Sequence, residues 1–428
     1  MTPPRRPRPA GGSLRAFRHR KYLAFWSAAL ISNIGAWLSN LTVPFVIFQI
    51  TESALLTGFA TVAQFLPSFV LGPVAGWLAD RYDRRKVLLF TQSGMAVTAI
   101  ALWLLWSNGF HNIWALLALV GLQGIVQGLN MPAWQSFVHD LVPRSDLASA
   151  VALNSLQFNA ARSIGPMIAG AIITVLGPAG SFGLNAVSYV AVLTVLFIIR
   201  ADSSEERGQP TGNFLTAARY LLTQPGLVLS VVVAILVSSL INPVMQFTVV
   251  FAGSVFHVGA WPLGLMNGAV GIGALLVVPC VAGSAGFSRA DIVRLGLLLM
   301  GIGMVGFAVS PNWIVASGAL IILGAGFLAS ISATNTAIQL IVAEPFRGRV
   351  MAIRIMFYTL AYPVGALVMG AISDRVGPRP VVLGAAVIML LAWALMAFRG
   401  RTYSLNHLDD PYDDSFDGPS AHSPVESR

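Results

Sequence analysis

The chain has 428 residues, of which 56% are hydrophobic and only 10% are charged, and its net charge is +9. Soluble domains carry about 25% charged residues, so this composition excludes an ordinary soluble protein. A membrane-spanning helix needs about 20 apolar residues, and the apolar content provides for roughly twelve such helices. The mean hydropathy of +0.75 agrees, and we expect a polytopic membrane protein.

Twelve apolar runs are separated by clusters of charged, Pro or Gly residues. Open strand edges are not viable in lipid, so these runs predict helices and an all-α fold. The predicted spans are 22–49, 54–78, 86–108, 112–139, 148–175, 180–199, 226–252, 261–282, 290–309, 313–341, 349–372 and 380–398.

The basic residues predict the orientation. With a cytoplasmic N-terminus, 23 of the 26 Lys and Arg residues fall on the cytoplasmic side, as the positive-inside rule requires. Arg375 and Arg379 fall on the other side, and Arg162 lies within a span. The net charge is therefore a topology signal, and we expect no nucleic-acid partner. We expect a multi-pass protein of the cytoplasmic (inner) membrane with both termini in the cytoplasm.

A polar linker divides the chain into two halves of six spans each. The Ser-, Pro- and Asp-rich end of the chain predicts a disordered cytoplasmic tail. Apolar residues after the linker, from Phe214 to Leu222, predict a short amphipathic helix on the inner membrane face. The predicted segments are a basic tail (1–21), the first bundle (22–199), the linker with its helix (200–225), the second bundle (226–398) and the disordered tail (399–428).

The two halves share an internal repeat at an offset of about 200 residues. The segment GAIITVLGP at 170–178 corresponds to GAISDRVGP at 370–378, and the same offset pairs other glycines along the chain. Both copies run in the same membrane direction because six spans separate them. The repeat predicts two parallel six-helix bundles that rock around a central site. The further pairs are Gly124 with Gly324, Gly165 with Gly365 and, at an offset of 199, Pro44 with Pro243.

The loop between spans 2 and 3 carries the run GWLADRYDRRK at 76–86. It resembles the major facilitator superfamily signature Gly-x-Leu-Ala-Asp-Arg-x-Gly-Arg-Arg/Lys, with Asp83 in place of the second glycine. The stretch from Pro132 to Asn185 is similar, more narrowly, to the siderophore and multidrug exporters related to the enterobactin exporter. The resemblance implies the major facilitator fold and alternating access, with spans 1, 4, 7 and 10 lining the cavity.

The resemblance also implies that the 76–86 motif latches the two halves together on the cytoplasmic side. We expect Asp80 to pair with Arg84 and to approach the N-terminus of span 11, where backbone N–H groups favour an anion. The alternative is that these charges only mark topology. The predicted gating residues are Gly76, Asp80, Arg81, Arg84 and Arg85.

Arg162 stands near the middle of span 5. A charge at that depth costs ~2.5–3.5 kcal/mol or more, so a functional role is the default hypothesis. No Asp or Glu lies in the core of any predicted span to pair with it. We expect Arg162 to border the cavity and to contact the substrate; the alternative is a buried arginine that bridges carbonyl groups between helices.

Polar residues at helical spacing lie on the four spans expected to line the cavity. Amides and hydroxyls are costly against lipid, so we expect these faces to point into the bundle, where they line the site or join helices. A site of this kind suits a mid-sized amphipathic organic molecule. The residues are Asn33, Trp37 and Asn40 in span 1; Gln123, Gln127, Asn130 and Trp134 in span 4; Ser238, Asn242 and Gln246 in span 7; and Ser330, Thr334, Asn335 and Gln339 in span 10.

Span 5 also carries Gly165-Pro166-Met167-Ile168-Ala169-Gly170. This run resembles the family's antiporter motif Gly-Pro-x-x-Gly-Gly with one alanine substituted, and the resemblance implies export by proton antiport. Close helix packing through Gly165, Pro166 and Gly170 explains the same residues without antiport.

The group that would carry the coupling proton is not identified by the sequence. The family's drug antiporters often carry an arginine in span 4 within Arg-x-x-Gln-Gly, and Gly124 stands at that position here. A proton-coupled carrier needs a group that titrates. The carboxylates that qualify lie near membrane edges and are Asp80, Asp140, Glu344 and Asp374.

The sequence therefore predicts a secondary transporter that exports a small organic molecule, drug-like or siderophore-like, with protons as the coupling ion. The alternative is a proton-linked or facilitative importer of a small organic or anionic solute. An enzyme is not expected, because the chain has no HExxH, GxSxG or clustered His pattern, and no Walker motif for an ATP-driven pump. A receptor or scaffold would leave Arg162 and the duplicated bundles unexplained. We expect no cofactor and no metal, and a monomer in the lipid bilayer; the lone Cys280 excludes a disulfide framework.

Overall fold

The computed structural model describes residues 14–199, 214–282, 288–343, 346–398 and 405–409. Within these ranges the regular structure is helical. The helices are α1 (Arg20–Thr51), α2 (Ala54–Val70), α3 (Gly72–Arg81), α4 (Arg84–Ser107), α5 (Ile113–Asp140), α6 (Leu147–Ile198), α7 (Phe214–Thr223), α8 (Pro225–Leu236), α9 (Asn242–Val250), α10 (Ala260–Ala282), α11 (Arg289–Val309), α12 (Trp313–Ile341), α13 (Arg347–Val376) and α14 (Pro378–Phe398).

The described helices make twelve crossings, as the sequence predicts. Ten helical stretches are long and apolar enough to cross a membrane. One of them, α6, crosses twice, because Gly177 turns the chain in the middle of it at φ 69°. The twelfth crossing combines α2 and α3, which are separated only by Leu71. Span 7 is continuous through α8, α9 and two π-helical turns at Val237–Ile241 and Phe251–Val255.

The turns of the two halves confirm the repeat at the level of the backbone. Gly177 and Gly377 both have positive φ, at 69° and 87°, and each is followed by a proline. Only glycine adopts this conformation at little cost, and the proline that follows fits the first turn of the next helix. The same short turn therefore joins spans 5 and 6 in one half and spans 11 and 12 in the other.

Close backbone contacts inside each half repeat in the same way. A Cβ on Gly124 would lie 2.4 Å from the carbonyl oxygen of Gln64, and a Cβ on Gly324 would lie 2.0 Å from that of Val270. These contacts pack α5 on α2 in the first half and α12 on α10 in the second. Glycine is needed at both sites because no side chain fits between the helices.

Two seams join the halves, one between α2 and α13 and one between α6 and α10. We call the end of the molecule with the 76–86 motif the basic end, and the end with the turns at Gly177 and Gly377 the opposite end. A Cβ on Gly170 would lie 2.6 Å from the carbonyl oxygen of Ala260, and a Cβ on Gly370 would lie 2.8 Å from that of Ala54. Glycines at equivalent positions therefore let the halves touch at the opposite end.

The ring and glycine contacts of the seams lie between the opposite end and the middle of the molecule. Between α2 and α13 the contacts run from the opposite end to the ring pair Phe65–Tyr362, whose centroids are 5.1 Å apart. Between α6 and α10 they run to Gly271, which packs against Ser163. In the described ranges, α3 makes no comparable seam with α13. The halves are thus closed together at the opposite end and part toward the basic end.

The linker and the tail contain short elements at the basic end. A helix is present where the sequence predicts one, at α7, and it packs with Ala217 and Tyr220 buried. The tail, expected to be disordered over 399–428, contains a 3-10 helix at Leu405–Asp409. Leu405 and Leu408 are fully buried in the second half. Composition did not predict this helix, because its stability comes from contacts with the bundle.

Asp409 fixes this terminal helix to α11. Its carboxylate accepts hydrogen bonds from the backbone N–H and Nε of Arg289, both at 2.9 Å, and from the backbone N–H of Ala290 at 3.1 Å. The first N–H groups of a helix have no partner within it, so the carboxylate satisfies them and interacts favourably with the helix dipole.

The glycine contact inside the second half gives a matched pair of variants on α12. We expect Gly324→Ala to lower the free energy of unfolding by about 1–3 kcal/mol, because its Cβ would overlap the α10 backbone. A Cβ on Gly318 meets nothing within 4 Å. We expect Gly318→Ala to leave stability unchanged or to raise it by up to about 1 kcal/mol, since alanine is the better helix former. Thermal unfolding in detergent checks both; equal melting temperatures would contradict the packing.

Acid is expected to release the terminal helix. Partial burial works to raise the pKa of Asp409, but hydrogen bonds from Arg289 and Ala290 outweigh it, and the pKa lies below its ordinary value of 3.8. A carboxyl with a depressed pKa stabilises the docked state above its ordinary pKa, and that stabilisation is lost as the pH falls through the depressed value. The protection of the amides across 405–409, measured as the exchange rate relative to the intrinsic rate at the same pH, should therefore stay high under mildly acidic conditions and fall only in stronger acid. Asp409→Asn should exchange quickly at neutral pH, whereas the charge-matched Asp414→Asn should not.

Candidate functional site

At the basic end, the two arginines that follow α3 bind within the first half. Arg84 Nη1 donates a hydrogen bond to Asp140 Oδ1 at 2.6 Å, and this carboxylate stands at the end of α5. Arg85 donates to the carbonyl oxygens of Leu196 and Phe197 at 2.6 and 2.9 Å, so it caps the end of α6. The side chain of Asp80 lies outside the described part of the chain, so its expected pair with Arg84 stays a prediction.

The remaining motif residues are open in this conformation. A Cβ on Gly76 meets nothing within 4 Å. The guanidinium of exposed Arg81 lies 5.5 Å from the ring centroid of Trp77 on its own helix. Asp83, which replaces the signature's second glycine, accepts a hydrogen bond from the backbone N–H of Lys86 at 3.0 Å and caps α4. The latch of this motif to span 11, expected of Asp80, stays a prediction.

Arg162 lies where the two halves face each other. It extends from α6 of the first half, and its guanidinium carbon is 4.9 Å from the ring centroid of Phe327 on α12 of the second half. A cation–π contact of this kind contributes about 0.5–2 kcal/mol, depending on desolvation. No ion pair joins Arg162 to a carboxylate within the described ranges. The half-buried guanidinium therefore contacts a neutral ring and stays available to a ligand.

A second arginine in the membrane helices was missed by the sequence analysis. Arg354 was counted with the cytoplasmic basic residues although it falls inside predicted span 11. It lies two turns inside α13 and is only 6% exposed. The signal was its position, because α13 begins at Arg347 and a helix rises about 1.5 Å per residue.

The partners of Arg354 are neutral. Its Nη1 donates to Asn335 Oδ1 at 2.5 Å and its Nη2 to Thr334 Oγ1 at 3.0 Å, both on α12. Its buried Nε has no hydrogen-bond partner among the described residues. Asn335, predicted for the substrate site, therefore holds a buried cation that still has one N–H to offer.

Two amides predicted for the site join helices instead of standing free. Gln246 accepts hydrogen bonds from Thr61 and, at 3.1 Å, from the Tyr362 hydroxyl, and its amide donates to the carbonyl oxygen of Thr57 at 3.2 Å. Since Thr57 and Thr61 belong to the first half, Gln246 ties the two halves together. Asn40 accepts from Gln64 Nε2 at 2.6 Å, within the first half.

Two other residues predicted for the site, Asn242 and Asn130, make their hydrogen bonds within one half. Asn242 donates to the Tyr358 hydroxyl at 3.0 Å and is buried. Asn130 accepts from Thr91 Oγ1 at 2.8 Å, so it faces α4 and not the second half. Gln127 is exposed and Asn33 is half-buried. Arg162 therefore lies at the interface between the two halves, whereas Asn130 lies inside the first half and does not reach this interface.

The antiporter-like motif on α6 packs against α1 on one side and against α10 on the other. A Cβ on Gly165 would lie 2.4 Å from the Cβ of half-buried Trp37 on α1, and Gly170 packs on α10. Pro166 is buried, and its carbonyl oxygen faces Gly264. These contacts account for Gly165, Pro166 and Gly170 through close packing, and a role in antiport stays a prediction. Among the described residues, no cluster of His, Cys, Asp or Glu could hold a metal ion.

Residues 11–428 match the family described as transmembrane secretion effector. The chain is 27% identical over 405 residues to the enterobactin exporter EntS of Citrobacter koseri, an alignment that covers 89% of this chain and 94% of that protein. It is 30% identical over 174 residues to the staphyloferrin A transporter of Staphylococcus aureus, covering 40% and 44% of the two chains. It is also 30% identical over 189 residues to the uncharacterised transporter YfiS of Bacillus subtilis, where the alignment covers 44% of each protein.

Solved structures of transporters share the fold. A bacterial homologue of the human lysosomal transporter Spinster, inward-facing and occupied, superposes with a TM-score of 0.75 at 15% identity, covering 95% of this chain and 100% of that one. A D-xylose-proton symporter superposes with a TM-score of 0.69 at 16% identity, covering 91% and 99%. The predicted major facilitator fold is confirmed.

The neutral partners of Arg354 predict opposite effects for two substitutions. We expect Arg354→Met to leave the melting temperature unchanged or higher, because it removes a buried charge that no carboxylate compensates. We expect Asn335→Leu to lower the free energy of unfolding by about 1–3 kcal/mol, because it leaves the guanidinium buried with fewer acceptors. Thermal unfolding of the purified variants checks the signs. A lower melting temperature for Arg354→Met than for Asn335→Leu would contradict this prediction and show that the arginine stabilises the fold.

Proposed function

The chain belongs to the transmembrane secretion effector family of major facilitator transporters, and we propose that it exports a small organic molecule across the cytoplasmic membrane. A transporter of this family is a membrane carrier and not an enzyme. The proposed substrate class is drug-like or siderophore-like. The near full-length similarity to a protein named as an enterobactin exporter supports this class, as does the partial similarity to a staphyloferrin A transporter.

The observation that carries the proposal is Arg162 at the meeting of the halves. A cation at mid-membrane is costly, and its contact with Phe327 is neutral, so an anionic or polar group of a substrate would lower its energy. An aromatic ring beside a cation also suits a molecule with both apolar and acidic parts. Buried Arg354 adds a second positive charge on the side of the second half.

The proposed direction rests on the similarity to a protein named as an enterobactin exporter, and the conformation is compatible with it. The positive-inside rule assigns the basic end to the cytoplasm, so the halves part toward the cytoplasm and close toward the outside. An exporter loads its substrate in that conformation. Alternating access then requires the seams at the opposite end to open and the 76–86 motif to engage.

We propose proton antiport as the energy source. The resemblance of 165–170 to the antiporter motif supports it. The proposal does not assign the titrating residue, since the carboxylates Asp140 and Asp374 stand at helix ends and not beside Arg162.

A transport experiment tests direction and coupling together. Cells with and without the protein are loaded with a labelled catecholate siderophore, or with a labelled lipophilic drug, and accumulation is followed before and after the proton gradient is collapsed. We expect the protein to lower accumulation and to lose this effect on collapse. Higher accumulation in the presence of the protein would instead indicate an importer.

Arg162 should be required for this activity. Loss of one hydrogen bond to a charged group, about 1.5–3 kcal/mol, should raise the KM for an acidic substrate about tenfold or more in Arg162→Ala. Arg162→Lys should retain part of the affinity. Arg347→Ala removes the same charge from an exposed position at the start of α13 and should transport normally. An Arg162→Ala protein that is present at normal levels and exports at the wild-type rate would refute the role of Arg162.

A further inference from the structure

One carboxylate crosses the seam at the opposite end. Asp374, near the end of α13, accepts hydrogen bonds from Ser53 Oγ at 2.6 Å and from the backbone N–H groups of Ala54 and Leu55 at 2.7 and 3.3 Å. These donors begin α2, so they belong to the other half. The first N–H groups of a helix are unpaired, and the positive end of the helix dipole attracts an anion.

The charge of Asp374 is compensated by this helix end. Among the described residues, no Lys or Arg forms an ion pair with Asp374. The guanidinium of nearby Arg379 instead donates to the carbonyl oxygens of Ala308 and Ser310, at 3.1 and 2.8 Å. Asp374 is exposed at this end, so separating α2 from α13 would exchange these charge-assisted hydrogen bonds for bonds to water.

The internal repeat shows that this contact exists on one side only. The residue 200 positions before Asp374 is Thr174, at the same place beside the other seam. The Thr174 hydroxyl donates to the carbonyl oxygen of Gly170 in its own helix at 2.7 Å and makes no bond across the seam. Thr174 instead lines an open cleft of about 360 Å³, together with Gln49, Ala260 and Trp261.

We propose that Asp374 is the gate residue of the opposite end: its carboxylate on the N-terminus of α2 holds that end closed while the cavity is open at the basic end. Among the described residues, the pseudo-equivalent seam has glycine packing but no charged bond, so Asp374 supplies the charged part of the closure, beside the neutral hydrogen bonds of Gln246. Opening of this end breaks the bonds of Asp374, and their strength sets how often the end opens. The proposal rests on the alternating access of the proposed function.

The test measures the width of the opposite end directly. Spin labels are placed on Ser107→Cys and Pro311→Cys, two exposed positions at this end in different halves, after Cys280→Ser removes the native thiol. The distribution of distances between the two spin labels is recorded by double electron–electron resonance in lipid nanodiscs. Asp374→Asn keeps the size of the side chain and removes its charge. We expect it to increase the population with long distances by about fivefold or more.

Two further variants separate the gate from general instability. Ser53→Ala removes one donor to Asp374, together with the hydroxyl that accepts from the Leu56 N–H and caps α2, and should give a smaller shift in the same direction. Thr174→Val alters the pseudo-equivalent residue, which makes no bond across its seam, and should leave the distances unchanged. If Asp374→Asn and Ser53→Ala both melt as the wild type does and both show its distance distribution, the gate is refuted. If Asp374→Asn does not fold, the decision falls on Ser53→Ala.

The same samples distinguish failure of the gate from failure of the proposed function. Distances respond to the gate whatever the substrate and its direction. A shift in Asp374→Asn with no export by the wild type would support the gate and refute the exporter. Export by the wild type, with distances insensitive to Asp374 and Ser53, would refute the gate alone.

Discussion

The structure depends on one constraint: inside a bilayer, each backbone polar group and each charge needs a partner supplied by the protein. Helices satisfy the backbone, which is why the described part of the chain is built from them. The same constraint confines ion pairs to helix ends, as in Arg84 with Asp140 and Arg289 with Asp409. Arg162 and Arg354 lie deep in the helices, where a charge is costly. Their positions therefore indicate a functional role beyond packing.

The two halves are held together mainly by close packing of complementary helix surfaces. Without a hydrophobic driving force between helices in lipid, association depends on close packing and hydrogen bonds, and small residues allow the backbones to approach. Gly170 and Gly370 do this at equivalent places in the repeat. Such packing is symmetric and easily reversed, which suits two bundles that rock. The asymmetric additions, Gln246 on Thr61 and Asp374 on the start of α2, give the closed end a polar component that packing alone lacks.

The two arginines deep in the helices, half-buried Arg162 and buried Arg354, give the middle of the molecule its chemical character. Arg162 faces a ring and Arg354 faces an amide and a hydroxyl, so neither charge is neutralised by a carboxylate in the described helices. A region of this kind attracts anionic groups and repels cations. The aromatic and amide groups around it contribute contacts that are not charged. The combination is consistent with transport of an amphipathic molecule that carries acidic groups.

The sequence by itself determined the class, the twelve crossings and the duplicated halves, because apolar length, glycine–proline turns and the offset of 200 are local or periodic properties of the chain. It also identified Arg162, since a lone charge in an apolar run is visible without a structure. Only the tertiary structure decided which polar residues meet. It placed Asn130 against Thr91 and Gln246 across a seam, and it gave Leu405–Asp409 a fixed site on the bundle. It also showed that Arg354, which the sequence analysis counted as a topology marker, is a buried cation. It showed further that Asp374 binds the start of α2, 320 residues away in the chain. These facts depend on which helix faces which, and helix spacing shows the face of one helix but not its neighbour.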